Sequence, residues 1–266
     1  MTQPSLSHTQ SSSSGPILPR MADKLRLSPD QRQWLGRHWK ILDNSWLKII
    51  ALLLMTIDHT AAFLLIHHPA FITPLFFIGS HPVRIYTLMR MLGRLAFPLF
   101  AFMLVEGFEH THNRFKYGRN LFLFALISEL PWNLAHSGTL LFPLQNIFFT
   151  LFLGYLGICA LHYLGSRRLF QLIVLLGLLI LSIVLRVDYG CAGFGVILLF
   201  YLLRSHPIPR AIVGCCLLPS RWVAGLAFIP ISMYNGKRGF IKGPVGKYLC
   251  YLYYPLHLFV FYLLLR

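Results

Sequence analysis

Two ionisable residues stand side by side in a run otherwise fit to cross a bilayer: Asp58 and His59, within WLKIIALLLMTIDHTAAFLLI at residues 46–66. Such groups at membrane depth are costly and by default mark a pathway or a reaction centre. Histidine titrates near neutrality, which makes His59 a candidate general base. A carboxylate nearby could hold its tautomer or its charge. Residues at i and i+1 of a helix do not face each other, so Asp58 and His59 make no dyad by themselves. Each needs a partner from another helix.

Arg90 and Arg94 lie four apart in MRMLGRLAFPLFAFMLVEGF and so share a helix face. They can pair with Asp58 or Glu106, clamp a phosphate or carboxylate, or snorkel to the membrane surface. Gly93 between them permits close helix approach. Glu106 and Asp188 also have plain readings, as a solvated helix end and a polar turn residue. His110-Thr111-His112 sits in a basic loop without companion ligands, so no metal site is expected.

The rest of the chain is built to hold such groups in a membrane. Of 266 residues, 56% are hydrophobic and 12% charged, with a mean hydropathy of +0.62. A soluble domain carries about 25% charged residues, and a span needs roughly 20 apolar ones. The alternating pattern of a membrane barrel is absent. The expected fold is therefore all-α, a polytopic transmembrane helix bundle of about eight spans, one of them broken or re-entrant. Residues 1–28 read as a disordered tail, 29–45 as a basic juxtamembrane segment and 46–266 as the transmembrane domain. No cleavable signal peptide is recognised, and the five cysteines behave as small apolar groups.

Spans are predicted near 46–66, 86–108 (kinked at Pro98), 119–136, 146–164, 169–186, 191–204 and 248–265, with a short re-entrant piece at 70–79. The region 208–233 is interrupted by Pro219-Ser220-Arg221. The formal net charge of +16 is chiefly topogenic, because Lys and Arg in short loops hold helices in orientation. Scattered among spans, these charges form no nucleic-acid surface. They put the N-terminus and loops 109–119, 165–168 and 204–210 inside. The basic loop YNGKRGFIKGPVGK at 234–247 fits that rule only if 208–233 is a broken helix that returns to the same side.

Taken together, LKIIALLLMTIDHTAAFLL, MRMLGRLAFPLFAFMLVEGFEHTHNRFKYGRNLFLFALISELPWNL, QNIFFTLFLGYLG, DYGCAGFGVILLFYL, YNGKRG and KYLCYLYYPLHLFVFYLLL, in this order, resemble the TraX family. That family is known for acetylation of the conjugative F pilin and looks related to acyltransferase-3-type membrane acyltransferases. The resemblance covers about residues 46–266. It implies an enzyme of the bacterial inner membrane that takes acetyl-CoA from the cytoplasm as donor substrate, with no bound cofactor. The acceptor would be an amine or hydroxyl of a pilin, a peptide or a surface glycan.

Carried onto this chain, the family's early-helix histidine is His59, with Asp58 tuning it and His257 competing for the catalytic role. Arg90 and Arg94 match an Arg-x-x-Gly-Arg segment suited to the donor or to developing charge. Glu106, Asn146, Asp188, Tyr234, Asn235, Lys237, Arg238 and Tyr254 are assigned to substrate or CoA binding. A proton-coupled transporter is the rival class, since a charged network inside a bundle suits it equally.

Overall fold

The computed structural model describes residues 39–66, 68–218 and 221–266. The expected tail 1–28 and most of the segment 29–45 lie outside the described residues. The remainder is largely helical. Asp43 caps the first helix, α1 (Asn44–His59), its carboxylate accepting from the N–H groups of Ser45 (2.8 Å) and Trp46 (3.1 Å). Leu47, Ala51 and Met55 recur at helical spacing and are buried, whereas Trp46 and Leu53 face outward. Directly after His59 the helix widens into a π-helical segment, Thr60–Leu65, an element that the apolar pattern gives no sign of.

The piece expected at 70–79 as re-entrant is instead a short helix, α2 (Pro69–Ile72), and a β-hairpin of β1 (Pro74–Ile78) and β2 (His81–Arg84). This corrects the all-α expectation locally. Gly79, at φ 61°, opens a two-residue turn, and Pro74 and Pro82 bar a helix from forming across it. Leu75, Phe76 and Phe77 are all exposed.

The second predicted span is two helices, α3 (Ile85–Gly93) and α4 (Ala96–His110), parted at Arg94 and Leu95. Proline clashes with the carbonyl four residues before it, and for Pro98 that residue is Arg94. Next come α5 (Arg114–Ser137), α6 (Ile147–Tyr163), α7 (Arg168–Val184) and α8 (Gly190–Leu202). After them the chain forms α9 (Pro207–Leu217), α10 (Arg221–Gly225), α11 (Phe228–Ser232) and α12 (Gly243–Leu264). In the centre, α5 packs along α12 and α6, α6 against α8, and α1 against α3 and α4. Phe97, Phe108, Phe200 and Leu258 are fully or almost fully buried there. Helix α7 is peripheral: Phe170, Ile173, Ile180 and Val184 are exposed and only Ser182 is buried.

The loops gather at two ends. At one, Leu42 bridges Tyr234, Arg114 bonds His162 and Tyr163, and Arg204 pairs with Glu109 (3.5 Å). At the other, Gln145 bridges Val187 and the Trp132 indole donates to the Leu144 carbonyl (2.6 Å). The segment α9–α11 starts near Arg204 and returns to Tyr234, so it enters and leaves at the same end. This is the broken arrangement that the charge of the 234–247 loop requires. The loop is pinned beside the start of α1: Asn44 N–H donates to the Lys237 carbonyl (2.9 Å) and the Ser45 hydroxyl to that of Arg238 (3.1 Å).

Where α1 meets α3, Gly93 leaves no room for a side chain, because a Cβ there would run into the Asp58 carboxylate. Gly93→Val is expected to cost about 1–3 kcal/mol through overpacking. Gly177→Ala, which meets nothing within 4 Å, should leave the melting temperature in detergent unchanged. Equal melting of both variants would refute the close packing.

Candidate functional site

Residues from α1 and α12 meet first. His59 Nδ1 lies 2.6 Å from His257 Nε2, with the two rings nearly parallel at 8° and their centroids 4.9 Å apart. His257 Nδ1 in turn lies 2.9 Å from the Tyr253 carbonyl oxygen. A carbonyl only accepts, so Nδ1 of His257 bears a proton. Neutral His257 then has its lone pair on Nε2, which must accept from His59 Nδ1–H. The lone pair of neutral His59 is thereby assigned to Nε2. The neighbouring turn is fixed in the same manner: Thr56 donates to the Leu52 carbonyl (2.8 Å) and so accepts from the Tyr253 hydroxyl (2.6 Å).

Asp58 points elsewhere. Arg90 binds its carboxylate at 2.6 Å, so the orienting partner of His59 is the second histidine. Asp58, His59, Arg90, Arg94, Asp188 and Tyr189 line a cavity of about 390 Å³. Phe63, Trp132, His136, Leu218 and Ala224 are also on its wall. The break before Pro98 leaves Arg94 at the helix end, beside this space. The turn carrying Asp188 is held by the Thr150 hydroxyl, which donates to the Asp188 carbonyl. The Asp188 side chain accepts from Tyr189 N–H at 3.0 Å. Burial pushes that carboxyl up to about 6, with the nearby Asp58 adding to the shift and the Tyr189 N–H opposing it. Tyr189, at φ 61°, stacks on Phe97 with centroids 4.1 Å apart.

A larger cavity of about 710 Å³ opens at the end of the bundle that holds the basic loop. Lys48, Arg238 and Lys247 bring positive charge to it, and Glu106, Tyr234, Met55 and Tyr254 also line it. Burial, followed by the charge of Glu106, pushes the Tyr234 phenol up to about 12. The Tyr254 ring packs on both His59 (6.0 Å) and His257 (5.6 Å). The imidazole pair thus stands where the two spaces approach each other.

The sequence-derived residues consequently divide between two cavities. Arg90, Arg94 and Asp188 belong with the smaller one, Glu106, Tyr234, Arg238 and Tyr254 with the larger. Asn146, Asn235 and Lys237 line neither. Asn146 is fully buried and caps α6 through Phe148 N–H (3.0 Å), while its amide ties down Glu129 (2.6 Å) and the Ala125 carbonyl (2.8 Å). The Asn235 side chain accepts from Lys237 N–H and shapes the loop. Trp132, His136 and Tyr189 were not singled out from sequence. The available signal was the LPWNLAH ending of α5, with tryptophan and histidine one turn apart.

A family model for the TraX protein matches residues 43–265. The chain belongs to the TraX family. It is also similar to the probable fimbrial assembly protein FimC, serogroup H1, of Dichelobacter nodosus. The two are 32% identical over 245 residues, covering 80% of this chain and 91% of that protein. No solved structure matches it significantly. Family membership and the apolar helices make this TraX-family chain a membrane protein.

The tautomer chain is directly measurable. Nitrogen-15 spectra of histidine-labelled protein should report Nδ1–H on both His59 and His257 at neutral pH. An Nε2–H signal from either residue would overturn the order of donors.

Proposed function

We propose that this TraX-family protein is a membrane acetyltransferase that moves an acetyl group from cytoplasmic acetyl-CoA to an amine or hydroxyl on the opposite side. The observation that carries this reading is the oriented His59–His257 pair standing between a basic cavity and a smaller one lined by ionisable groups. Acyl transfer needs a lone pair at the junction of donor and acceptor, and an imidazole with a fixed tautomer supplies it. Lys48, Arg238 and Lys247 suit the phosphates of CoA. Across the histidines, Arg90 and Arg94 suit the charge that develops on a carbonyl oxygen under attack. His59 is the group that takes the acceptor's proton or briefly holds the acetyl group, and His257 fixes its tautomer.

Charge supports an orientation. Lys48, Lys116, Arg167, Arg168, Arg204 and Arg238 lie at or near the end where the 234–247 loop folds back on α1, and such an excess marks the cytoplasmic face. The basic end with its larger cavity is then cytoplasmic, in the inner membrane of a bacterium. The α9–α11 segment is re-entrant, and residues 46–266 form the catalytic domain. The fimbrial assembly description of the Dichelobacter relative favours a pilin acceptor, with a peptide or surface glycan as the other acceptor classes.

In proteoliposomes supplied with labelled acetyl-CoA, His59→Ala should lower acetyl transfer by at least about 10²-fold with the helical fold retained. Undiminished transfer would remove His59 from the mechanism. Acceptor-independent ion flux with no acetylated product would instead favour a proton-coupled transporter.

A further inference from the structure

The smaller cavity holds a second imidazole that this mechanism leaves unused. Building on the acyl-transfer reading, we propose that His136 is the base that removes the proton from the acceptor while His59 carries the acetyl group.

His136 lies at the end of α5, one turn after Trp132, and its ring is clamped. Trp132 is anchored through its indole N–H to Leu144 (2.6 Å), and the two rings are 3.9 Å apart. Phe142 stacks on His136 at 4.8 Å, and Phe63 meets it edge-on at 4.7 Å. Phe63 in turn lies 5.7 Å from His59, on the same cavity wall. His136 Nδ1 is 2.9 Å from the Trp132 carbonyl, so it is the protonated nitrogen and Nε2 bears the lone pair. His136 is the last residue but one of α5, before the chain leaves the helix at Gly138, whereas His59 is half-buried inside the bundle.

Chemistry requires such a group. Once His59 Nε2 bears an acetyl group, it has no lone pair left to accept a proton. The other ionisable groups facing the cavity are poorer choices. Arg90 and Arg94 are cations, Asp58 is held by Arg90, Tyr189 is a phenol, and one Asp188 oxygen accepts from the adjacent Tyr189 N–H within its own turn.

In the first step His59 Nε2 attacks the thioester carbonyl. The C–S bond breaks, CoA leaves as a thiolate, and the Nδ1 proton of His59 passes to His257 Nε2. In the second step the acceptor nitrogen or oxygen attacks the acetyl carbon while its proton moves to His136 Nε2. The bond between acetyl and His59 breaks, and His59 Nδ1 recovers its proton from His257. The thiolate takes up a proton on the donor side and His136 releases one on the acceptor side. The sum is acetyl-CoA plus acceptor giving acetylated acceptor plus CoA.

The test separates the two half-reactions in purified, reconstituted full-length protein. His136→Asn keeps a donor for the Trp132 carbonyl, and His136→Phe keeps a ring in the clamp; both lack the basic nitrogen. Without acceptor, each variant should exchange labelled CoA with acetyl-CoA within about threefold of the unaltered rate, because that step does not use His136. Acetylation of benzylamine, which is protonated at neutral pH, should fall about 100-fold or more. Acetylation of hydroxylamine, which needs no base at that pH, should stay within about threefold. Equal losses for both nucleophiles, or loss of the exchange in the variants, would overturn the assignment and make His136 structural. Absence of exchange in the unaltered protein would remove the acetyl-enzyme route, and this assignment with it. If that protein also transferred no acetyl group, the acyl-transfer reading itself would fall.

Discussion

A backbone carbonyl that can only accept sets the direction of everything at the centre of this bundle. Because Tyr253 receives a proton from His257, His257 can offer His59 only a lone pair, and His59 is left with a lone pair on Nε2. Among the described residues, no carboxylate bonds to either ring. In a membrane interior this has a physical advantage: a neutral imidazole pair avoids burying a net charge, which would cost several kcal/mol without full compensation. The neighbouring carboxylate of Asp58 is neutralised by Arg90 and so adds no net charge beside the pair.

Holding α12 against α1 is therefore the central structural task. The Tyr253–Thr56 bond fixes the two helices one turn from the histidines. The loop after α11 fixes the beginning of α1 through Leu42, Asn44 and Ser45. Ser45 is both a donor to Arg238 and an acceptor for Ile241 N–H, and it is completely buried. The same loop brings Arg238 to the larger cavity, so one set of backbone contacts anchors a helix and positions a cation.

Much of this was legible in the sequence because polar groups in apolar runs are conspicuous. Asp58, His59 and Arg90 stand out on cost alone, His257 entered through the family resemblance, and Gly93 signalled a close helix approach without naming the partner helix. The division of Arg90 and Arg94 from the basic loop was not legible, since it depends on which end of the bundle each helix break reaches. Asn146 drew attention for the same reason as the histidines, yet an asparagine immediately before an apolar run is also a helix cap, and that is where it is used. His136 escaped notice because a histidine at a helix end is ordinary. Only the fold turns it toward His59. The β-hairpin was hidden because a short apolar run between prolines has no decisive period.

The π-helical segment after His59 has a consequence for how the chain can change. Such a segment holds a surplus residue within an otherwise α-helical path and recurs at functional sites. Losing one residue between Thr60 and Leu65 would let the segment relax to an α-helix, and because the wide turn absorbs the surplus residue, the chain beyond it would keep its facing. Within the segment the side chains would shift, Phe63 on the wall that it shares with His59 among them. The widened turn therefore shapes the site locally and leaves the approach to the β-hairpin in register.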